Sequence, residues 1–245
     1  MGLYIETRVR VDLETLWERT QEPDRHQRWD LRFTEISYLP RAEGEPQHFR
    51  YATRVLPFLA VAGTGVSAGE RHRAGGDRVS ALRFASPHPL SLLAEGSGYW
   101  RYVPTPDGVR FLTGYDYRPR WGRLGRAADR LVFRPLMGWA TAWSFDRLRL
   151  WCERGITPER SRNRWLLETA ARVLAVAVPL ALTRPPLGLV SLDAVPLTVL
   201  GLTVLGLAAA VLVPPSSRTP AARRCLRTPP ARSREPRLLA ALEQP

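Results

Sequence analysis

The feature that most constrains this chain is an apolar run of twenty residues, 194–213, without a charged, amide or histidine side chain. As an α-helix rising about 1.5 Å per residue, the run is roughly 30 Å long, the thickness of a bilayer's hydrocarbon core. A buried core helix is rarely so long and so uniformly apolar. The run therefore predicts a membrane-crossing segment, with a buried core helix as the alternative.

A second apolar segment, residues 165–183, precedes the first along the chain. Glu168 and Arg172 interrupt its first two turns, but they are four residues apart and can pair on one helix face. The two segments together predict a transmembrane hairpin of helices at 165–183 and 194–213. The alternative keeps a single span and makes 173–183 a re-entrant or interfacial segment.

Arginine is concentrated on both sides of this apolar region. Residues 118–164 carry 12 Arg against 4 acidic residues, and residues 214–245 carry seven Arg against two Glu. Because basic flanks stay on the cytoplasmic side, we expect a multi-pass protein of the cell membrane, with its N-terminal domain and its tail both cytoplasmic. The arginines fit anionic headgroups, and no nucleic-acid-binding signature is present, so we expect no nucleic-acid partner.

The first 155 residues have the pattern of a soluble α+β domain. Residues 3–11 alternate apolar and polar side chains as a half-buried strand does, and two short helices follow, the second starting at Pro23. Strand character resumes at 31–39, and five further strands separated by turn residues then form an antiparallel meander up to residue 118. A long helix is predicted over 123–154, interrupted at Pro135.

Such a sheet must cover one face, and the long helix is the only large apolar partner in this part of the chain. The sequence thus predicts a helix-grip domain at 1–155. A basic juxtamembrane linker is expected at 156–164, the two transmembrane helices lie within 165–213, and an Arg- and Pro-rich disordered tail is expected at 214–245.

The order of elements and the segment VDLETLWERTQEPDRHQRWD, with Trp17, Pro23, Trp29 and Asp30, resemble the START and polyketide cyclase superfamily, often called SRPBCC. The resemblance covers about residues 2–154 and leaves the hairpin and the tail outside. It implies an apolar cavity between a curved sheet and the long helix. Members bind lipids, sterols or polyketides, and some act as cyclases or dehydratases.

Strand alternation and helix spacing name a candidate lining for this cavity. If Arg101 and Arg110 face water, their strand neighbours point inward. The alternative is that these aromatic side chains fill the core and leave no cavity. The predicted ligand-binding residues are Trp29, Phe49, Tyr51, Trp100, Tyr102, Phe111, Thr113, Tyr115, Tyr117, Leu131, Gly138 and Ala142.

The residues of the classical catalytic and metal sites form no recognisable pattern. The four histidines have no metal-binding spacing, so neither a metal nor a cofactor is expected. His26 lies in a polar helix and is expected at the surface, and Asp30 is expected to cap a turn. Cys152 and Cys225 are expected to be free thiols. We assign no catalytic residue from the sequence.

The leading hypothesis is a membrane-anchored protein that binds a hydrophobic small molecule or lipid in its cavity. The first alternative is a membrane-tethered polyketide or isoprenoid cyclase or dehydratase, which requires a buried acid or base in the cavity. The second alternative is an interaction module without a ligand.

Overall fold

The computed structural model describes residues 2–56, 59–72, 76–182 and 197–230. The chain forms two compact units. Unit 1 consists of Met1–Pro158 together with Ala221–Pro245, and unit 2 is the intervening Glu159–Pro220.

Unit 1 contains a seven-stranded antiparallel sheet, and the predicted meander is confirmed. The spatial order is β1-β7-β6-β5-β4-β3-β2, so each strand from β2 to β7 pairs with the next along the chain. β1 joins at the end of the meander by pairing with β7. The strands are β1 (Leu3–Val9), β2 (Glu35–Tyr38), β3 (Gln47–Leu56), β4 (Leu59–His72), β5 (Arg78–Ala85), β6 (Leu93–Thr105) and β7 (Gly108–Pro119).

The two short helices that follow β1 begin as the sequence predicts. α1 (Leu13–Gln21) is capped by Asp12, whose carboxylate accepts a hydrogen bond of 2.8 Å from the backbone N–H of Thr15. α2 (Pro23–Trp29) starts at a proline, which needs no hydrogen-bond acceptor in the first helical turn. The end of α1 contacts the sheet, where Thr20 and Gln21 lie within hydrogen-bond distance of the Tyr102 hydroxyl of β6.

The long helical segment of unit 1 is interrupted one turn earlier than the sequence predicts. α3 (Gly122–Ala128) continues into a π-helical turn, Asp129–Phe133, and then into α4 (Arg134–Arg154). Pro135 has no N–H to donate back along the helix, and a widened turn before it removes that requirement. α4 ends at Gly155, which has a left-handed backbone with φ of 62°.

α4 packs on the sheet and closes the core of unit 1. The rings of Phe145 on α4 and Phe111 on β7 are stacked with centroids 4.5 Å apart. The Tyr115 hydroxyl of β7 lies 3.1 Å from Thr141 Oγ1 of α4. A seven-stranded antiparallel sheet covered by a long helix is helix-grip-like, so the predicted α+β architecture of this part is confirmed.

Residues 221–226 lie inside the tail that we expected to be disordered, and the structure corrects that expectation for these residues. Leu226 and Glu6 of β1 exchange two backbone hydrogen bonds of 2.9 Å. The Ala221 N–H and the Arg224 guanidinium both donate to the fully buried carboxylate of Asp146 on α4, each at 2.8 Å. These contacts with residues distant in sequence hold the segment on unit 1.

Unit 2 contains α5 (Pro158–Leu182) and α6 (Leu197–Leu212), which overlap the two predicted spans. The predicted pair is present, because Arg172 Nη2 lies 2.8 Å from Glu168 Oε1. Arg172 also donates to the carbonyl oxygens of Ala210 and Val213 at the end of α6. The first helix begins at Pro158 rather than at 165, and residues 183–196 lie outside the described part.

Among the described residues, none of the helices has both the length and the apolarity that a membrane crossing requires.

Candidate functional site

Unit 1 encloses a cavity of about 140 Å³ between the sheet, the helices α1 and α2, and the start of α4. An engineered apolar cavity of about 150 Å³ in another protein binds benzene, so the volume here is enough for one ring. The sheet contributes side chains from β2 to β7, and α4 contributes Met137. The resemblance implies a cavity between the sheet and the long helix, and in this structure the helical side of the wall is formed mainly by α1 and α2.

Aromatic side chains form much of the cavity wall. Phe49 and Tyr51 project from β3, Trp100 from β6 and Tyr115 from β7, and Phe33 follows α2. The rings contact one another, with centroids of Phe33 and Tyr51 5.7 Å apart. The result is a mainly apolar space with hydroxyl groups at a few places, which suits a hydrophobic ligand that carries one polar group.

The structure places five of the twelve predicted lining residues on the cavity wall. These five are Phe49, Tyr51, Trp100, Thr113 and Tyr115. All five lie on strands, where the period of two fixes which side chains share a face. Their role in ligand binding stays a prediction.

The other predicted residues from the strands and from α2 do not line the cavity. Trp29, Tyr102 and Phe111 are completely buried in the core. The rings of Tyr102 and Phe111 are 4.9 Å apart, and Phe111 stacks on Phe145 of α4. Tyr117 lies beyond the cavity, where its hydroxyl donates to Asp129 at 2.5 Å. The rings of Trp29, Tyr102 and Phe111 therefore fill the core instead of lining the cavity.

The predicted residues from the long helical segment also lie elsewhere. Leu131 is in the π-helical turn and is 75% exposed. A side chain added at Gly138 would meet Leu3 of β1, so this position faces β1. Ala142 is fully buried, and its carbonyl oxygen lies 3.2 Å from Cys225 Sγ. The widened turn separates Leu131 from the helix face of Gly138 and Ala142, and that face of α4 packs in the core instead of lining the cavity.

A buried charged cluster lies at one end of the cavity, and its members are His26, Asp30 and Arg32. Arg32 donates to the Asp30 carboxylate from Nε at 2.9 Å and from Nη2 at 2.6 Å. His26 Nε2 lies 3.1 Å from Oδ2 of the same carboxylate, the oxygen that also accepts from Arg32 Nη2. His26 and Arg32 are on the cavity wall, and Asp30 stands behind them.

The cluster holds Asp30 in its ionised form. Burial by itself raises the pKa of this carboxyl group, but the charge of Arg32 and the hydrogen bonds from His26 and Arg32 outweigh it. The pKa of Asp30 is therefore well below its usual range. The backbone N–H of Arg32 also donates to Asp30 at 3.0 Å, so the expected turn cap is present as well.

His26 is buried, which corrects the expectation of a surface histidine. Its ring stacks on Trp29 at 5.0 Å and meets the edges of Trp100 at 4.8 Å and Phe33 at 5.3 Å. Burial lowers the pKa of the imidazole, and the opposing effect of Asp30 is smaller. His26 is therefore a neutral group held between aromatic rings.

Tyr51 and Tyr115 add two phenol hydroxyls to the cavity wall. Burial raises the pKa of Tyr51 to about 12. Burial also raises the pKa of Tyr115, although the neighbouring Arg32 partly opposes it. Both hydroxyls therefore keep their protons at neutral pH.

The charged cluster was missed by sequence reasoning although one signal was present. His26 and Asp30 are four residues apart around α2, so they share one helix face, and this spacing places Nε2 against the carboxylate. Arg32 gave no such signal, because its position depends on how the chain leaves α2. Within the described residues, the structure contains no group of three or more His, Cys, Asp or Glu side chains that could hold a metal ion.

No protein-family model matches this chain. The chain is 52% identical over 159 residues to a Bacillus subtilis (strain 168) protein named "Uncharacterized membrane protein YndG". This match covers 64% of the chain and 59% of the relative, so the chain spans less than two thirds of that protein's length.

Solved structures similar to the chain include two aromatase/cyclases and a lipid-transfer protein. The di-domain aromatase/cyclase StfQ of the steffimycin pathway gives a TM-score of 0.46 at 16% identity, covering 66% of this chain and 51% of that one. Human StAR-related lipid transfer protein 5 gives a TM-score of 0.45 at 14% identity, covering 58% of this chain and 72% of that one. The aromatase/cyclase ZhuI of Streptomyces sp. R1128 gives a TM-score of 0.42 at 14% identity, covering 60% of this chain and 95% of that one.

Each of these TM-scores is below 0.5 and each identity is below 25%, so the similarity assigns neither a family nor a ligand or activity to this chain.

Proposed function

We propose that unit 1 binds a hydrophobic small molecule or lipid component in the cavity between the sheet and α4. The observation that carries this proposal is the cavity itself, whose wall is aromatic and whose charged groups are gathered at one end. A filled core would have no space there, because protein interiors leave few voids larger than a water molecule. A ligand larger than one ring would require the wall to move.

Mass spectrometry of molecules that co-purify with the full chain tests this proposal. Met137→Trp adds bulk where α4 meets the cavity, and Met137→Leu is the matched control that nearly conserves volume. We expect the ligand to be retained by the wild type and by Met137→Leu but lost from Met137→Trp. Lipid or detergent held on the apolar helices of unit 2 would be retained equally by all three, and a result of only that kind would contradict the proposal.

We also propose that unit 2 associates the protein with a membrane. Apolar side chains are exposed along α5 and α6, among them Leu167 at 72%, Val173 at 59%, Leu205 at 65% and Val211 at 72%. Exposed apolar surface of this extent is unusual in water-soluble proteins and marks a membrane or partner site. The relative from Bacillus subtilis is named as a membrane protein, which supports the same proposal.

Both ends of unit 2 are continuous with unit 1, since residues before Glu159 and after Pro220 belong to it. We therefore propose that both basic flanks lie on one side of the membrane, and the arginine content of the flanks favours the cytoplasmic side. Protease protection in sealed vesicles tests this arrangement. Exposure of the two flanks on opposite faces would contradict it.

Extraction of cell membranes with alkaline carbonate tests the attachment. The wild type is expected to remain in the membrane pellet, and the double variant Leu205→Arg, Val211→Arg is expected to shift to the supernatant. Leu31 and Leu124 are exposed leucines of unit 1, at 44% and 76%, and their replacement by arginine is the matched control. Release of the wild type by carbonate would contradict attachment through unit 2.

A second candidate function is a cyclase or dehydratase, and the buried His26–Asp30 pair favours it. A neutral imidazole oriented by a carboxylate can accept a proton from a bound substrate. For an enzyme, His26→Gln should abolish turnover of the co-purified molecule while binding persists. If product forms equally in the wild type and the variant, this candidate fails and the binding proposal stands.

A further inference from the structure

Most polar side chains on the cavity wall already have hydrogen-bond partners within the protein. Thr20 donates to the Leu16 carbonyl oxygen at 2.9 Å, and Thr113 donates to the carbonyl oxygen of Tyr99 at 2.9 Å. Arg32 donates twice to Asp30. A ligand gains little from groups that are already paired, so its position depends on those that are not.

His26 presents such a group to the cavity. Its Nε2 faces the ionised Asp30, which can only accept, so Nε2 carries the proton and Nδ1 is a hydrogen-bond acceptor. Among the described residues, none donates to Nδ1. The side chain is 10% exposed and lies on the cavity wall, so Nδ1 is an acceptor of a buried group that lacks a protein donor.

The neighbouring side chains fix the orientation of the His26 ring and therefore the direction in which Nδ1 points. The ring is stacked on Trp29 and bounded by the edges of Trp100 and Phe33, which prevents rotation without disrupting the wall. Asp30 holds the tautomer from behind, in the way that a carboxylate orients a functional histidine.

We propose that the cavity selects an uncharged single-ring hydrophobic molecule that carries a hydroxyl group, and that this hydroxyl donates a hydrogen bond to Nδ1 of His26. The inference rests on the proposed function, because it names the class of ligand for the same cavity.

Other ligand chemistries fit the cavity less well. Arg32 and Asp30 form a closed ion pair, so the charged end of the cavity offers no net charge to an ionised headgroup. A carbonyl oxygen is an acceptor and would leave Nδ1 unpaired. The Tyr51 hydroxyl donates to the Ala85 carbonyl oxygen over a long 3.4 Å, and a ligand hydroxyl, which both donates and accepts, is compatible with this loosely held donor.

Fluorine NMR with 4-fluorophenol and 4-fluorotoluene tests the inference on the full chain in detergent. The two probes have nearly the same shape, and only the first has a hydroxyl group. Met137→Trp is the blank, because probe that binds to detergent or to unit 2 is unaffected by filling the cavity. The difference between the wild type and this blank is the cavity-bound probe.

We expect 4-fluorophenol to bind in the cavity about tenfold more tightly than 4-fluorotoluene, the effect of one buried hydrogen bond. His26→Phe should remove this preference and keep the binding of 4-fluorotoluene. If His26→Phe does not fold, 4-fluoroanisole replaces the variant, because its methylated oxygen cannot donate and should lose the preference in the wild-type protein.

Equal binding of the two probes in the cavity would overturn the inference and leave the proposed function intact. Absence of cavity binding by both probes would overturn the inference together with the proposed function.

Discussion

Two buried carboxylates of unit 1 have similar chemistry and different surroundings. Asp30 and Asp146 are both completely shielded from solvent, and each is paired with arginine. The side chain of Arg32, the partner of Asp30, is only 11% exposed, whereas Arg149 and Arg224 beside Asp146 are 17% and 25% exposed. Asp30 also borders a cavity through His26, while Asp146 holds the segment 221–226.

This difference shows that burial of an ion pair does not by itself mark a functional site. The Asp146 cluster uses all its contacts to join parts of the protein, and its arginines reach water. In the Asp30 cluster, Asp30 and Arg32 neutralise each other, and His26 still presents one hydrogen-bond acceptor to the cavity. The unpaired acceptor on His26, rather than the buried charge, distinguishes the candidate binding site from the Asp146 cluster, which has only a structural role.

The largest effect is expected from Asp30→Ala. Removing this carboxylate leaves the Arg32 guanidinium buried without its counter-charge, which costs about 3–5 kcal/mol of unfolding free energy. Urea unfolding measures the loss. Asp116→Ala at an exposed position of β7 is the control and should change stability by less than about 0.5 kcal/mol. A similar small loss for Asp30→Ala would mean that Arg32 reaches solvent and that the two clusters are alike.

A smaller loss is expected from Asp146→Ala, because its arginines can turn towards water. Loss of its hydrogen bonds should cost about 1–3 kcal/mol and release the segment 221–226 from α4. Burial raises the pKa of Cys225 to about 12, so this thiol should react slowly in the wild type.

Thiol reactivity of Cys225 measured in a Cys152→Ser background checks the release of the segment. The variant Asp146→Ala should react faster, and the exposed Asp107→Ala is the control. Unchanged reactivity would show that the segment is held by its backbone pairing with Glu6 alone.

Tyr115→Phe should have a still smaller effect and separates the cavity from the rest of the core. The change removes a hydroxyl that lies 3.1 Å from Thr141 Oγ1, which costs about 0.5–1.5 kcal/mol. Urea unfolding measures it, and Tyr38→Phe, which removes a hydrogen bond of 2.7 Å to the Gln21 carbonyl oxygen at a half-exposed position, is the comparison. A loss as large as that of Asp30→Ala would mean that the contact between Tyr115 and Arg32 contributes as much to stability as the ion pair itself.

The smallest expected effect is the change in stability with pH that His26 causes. Because burial lowers the folded-state pKa of His26, the unfolded chain binds more protons as the pH falls below about 6.5, so stability decreases there. Asp30, whose folded-state pKa is also lowered, adds a further loss below about pH 4.

Urea unfolding at pH 7 and at pH 5 should show a decrease for the wild type and for His48→Gln, which alters an exposed histidine. His26→Phe should lack this decrease. The same slope in all three proteins would assign the pH dependence to another group.

The strands of unit 1 were predictable from sequence because alternation depends only on neighbouring residues. Phe49, Tyr51 and Tyr115 line the cavity for this reason. Alternation could not tell a cavity wall from a filled core, so Phe111 was included although Phe145 of α4 packs against it, and Tyr102 was included although it packs against α1. That distinction requires the position of Phe145, which comes from a distant part of the chain.

The helical predictions failed where backbone geometry changed. Pro135 signalled an interruption, but its form, a π-helical turn, moved Leu131 to the surface. The segment 221–226 was missed because its order depends on Asp146 and on the edge of β1, which lie far away in sequence. From composition alone, such an Arg- and Pro-rich segment is predicted to be a disordered tail.

The return of residues 221–226 to unit 1 has a consequence for the order of events during synthesis. The ribosome releases β1 to α4 first, then α5 and α6, and only afterwards the residues that pair with Glu6 and Asp146. Unit 1 therefore cannot form its contacts with residues 221–226 until both apolar helices have left the exit tunnel. Any membrane targeting of those helices would act on a nascent chain whose N-terminal domain still lacks its final closing contacts.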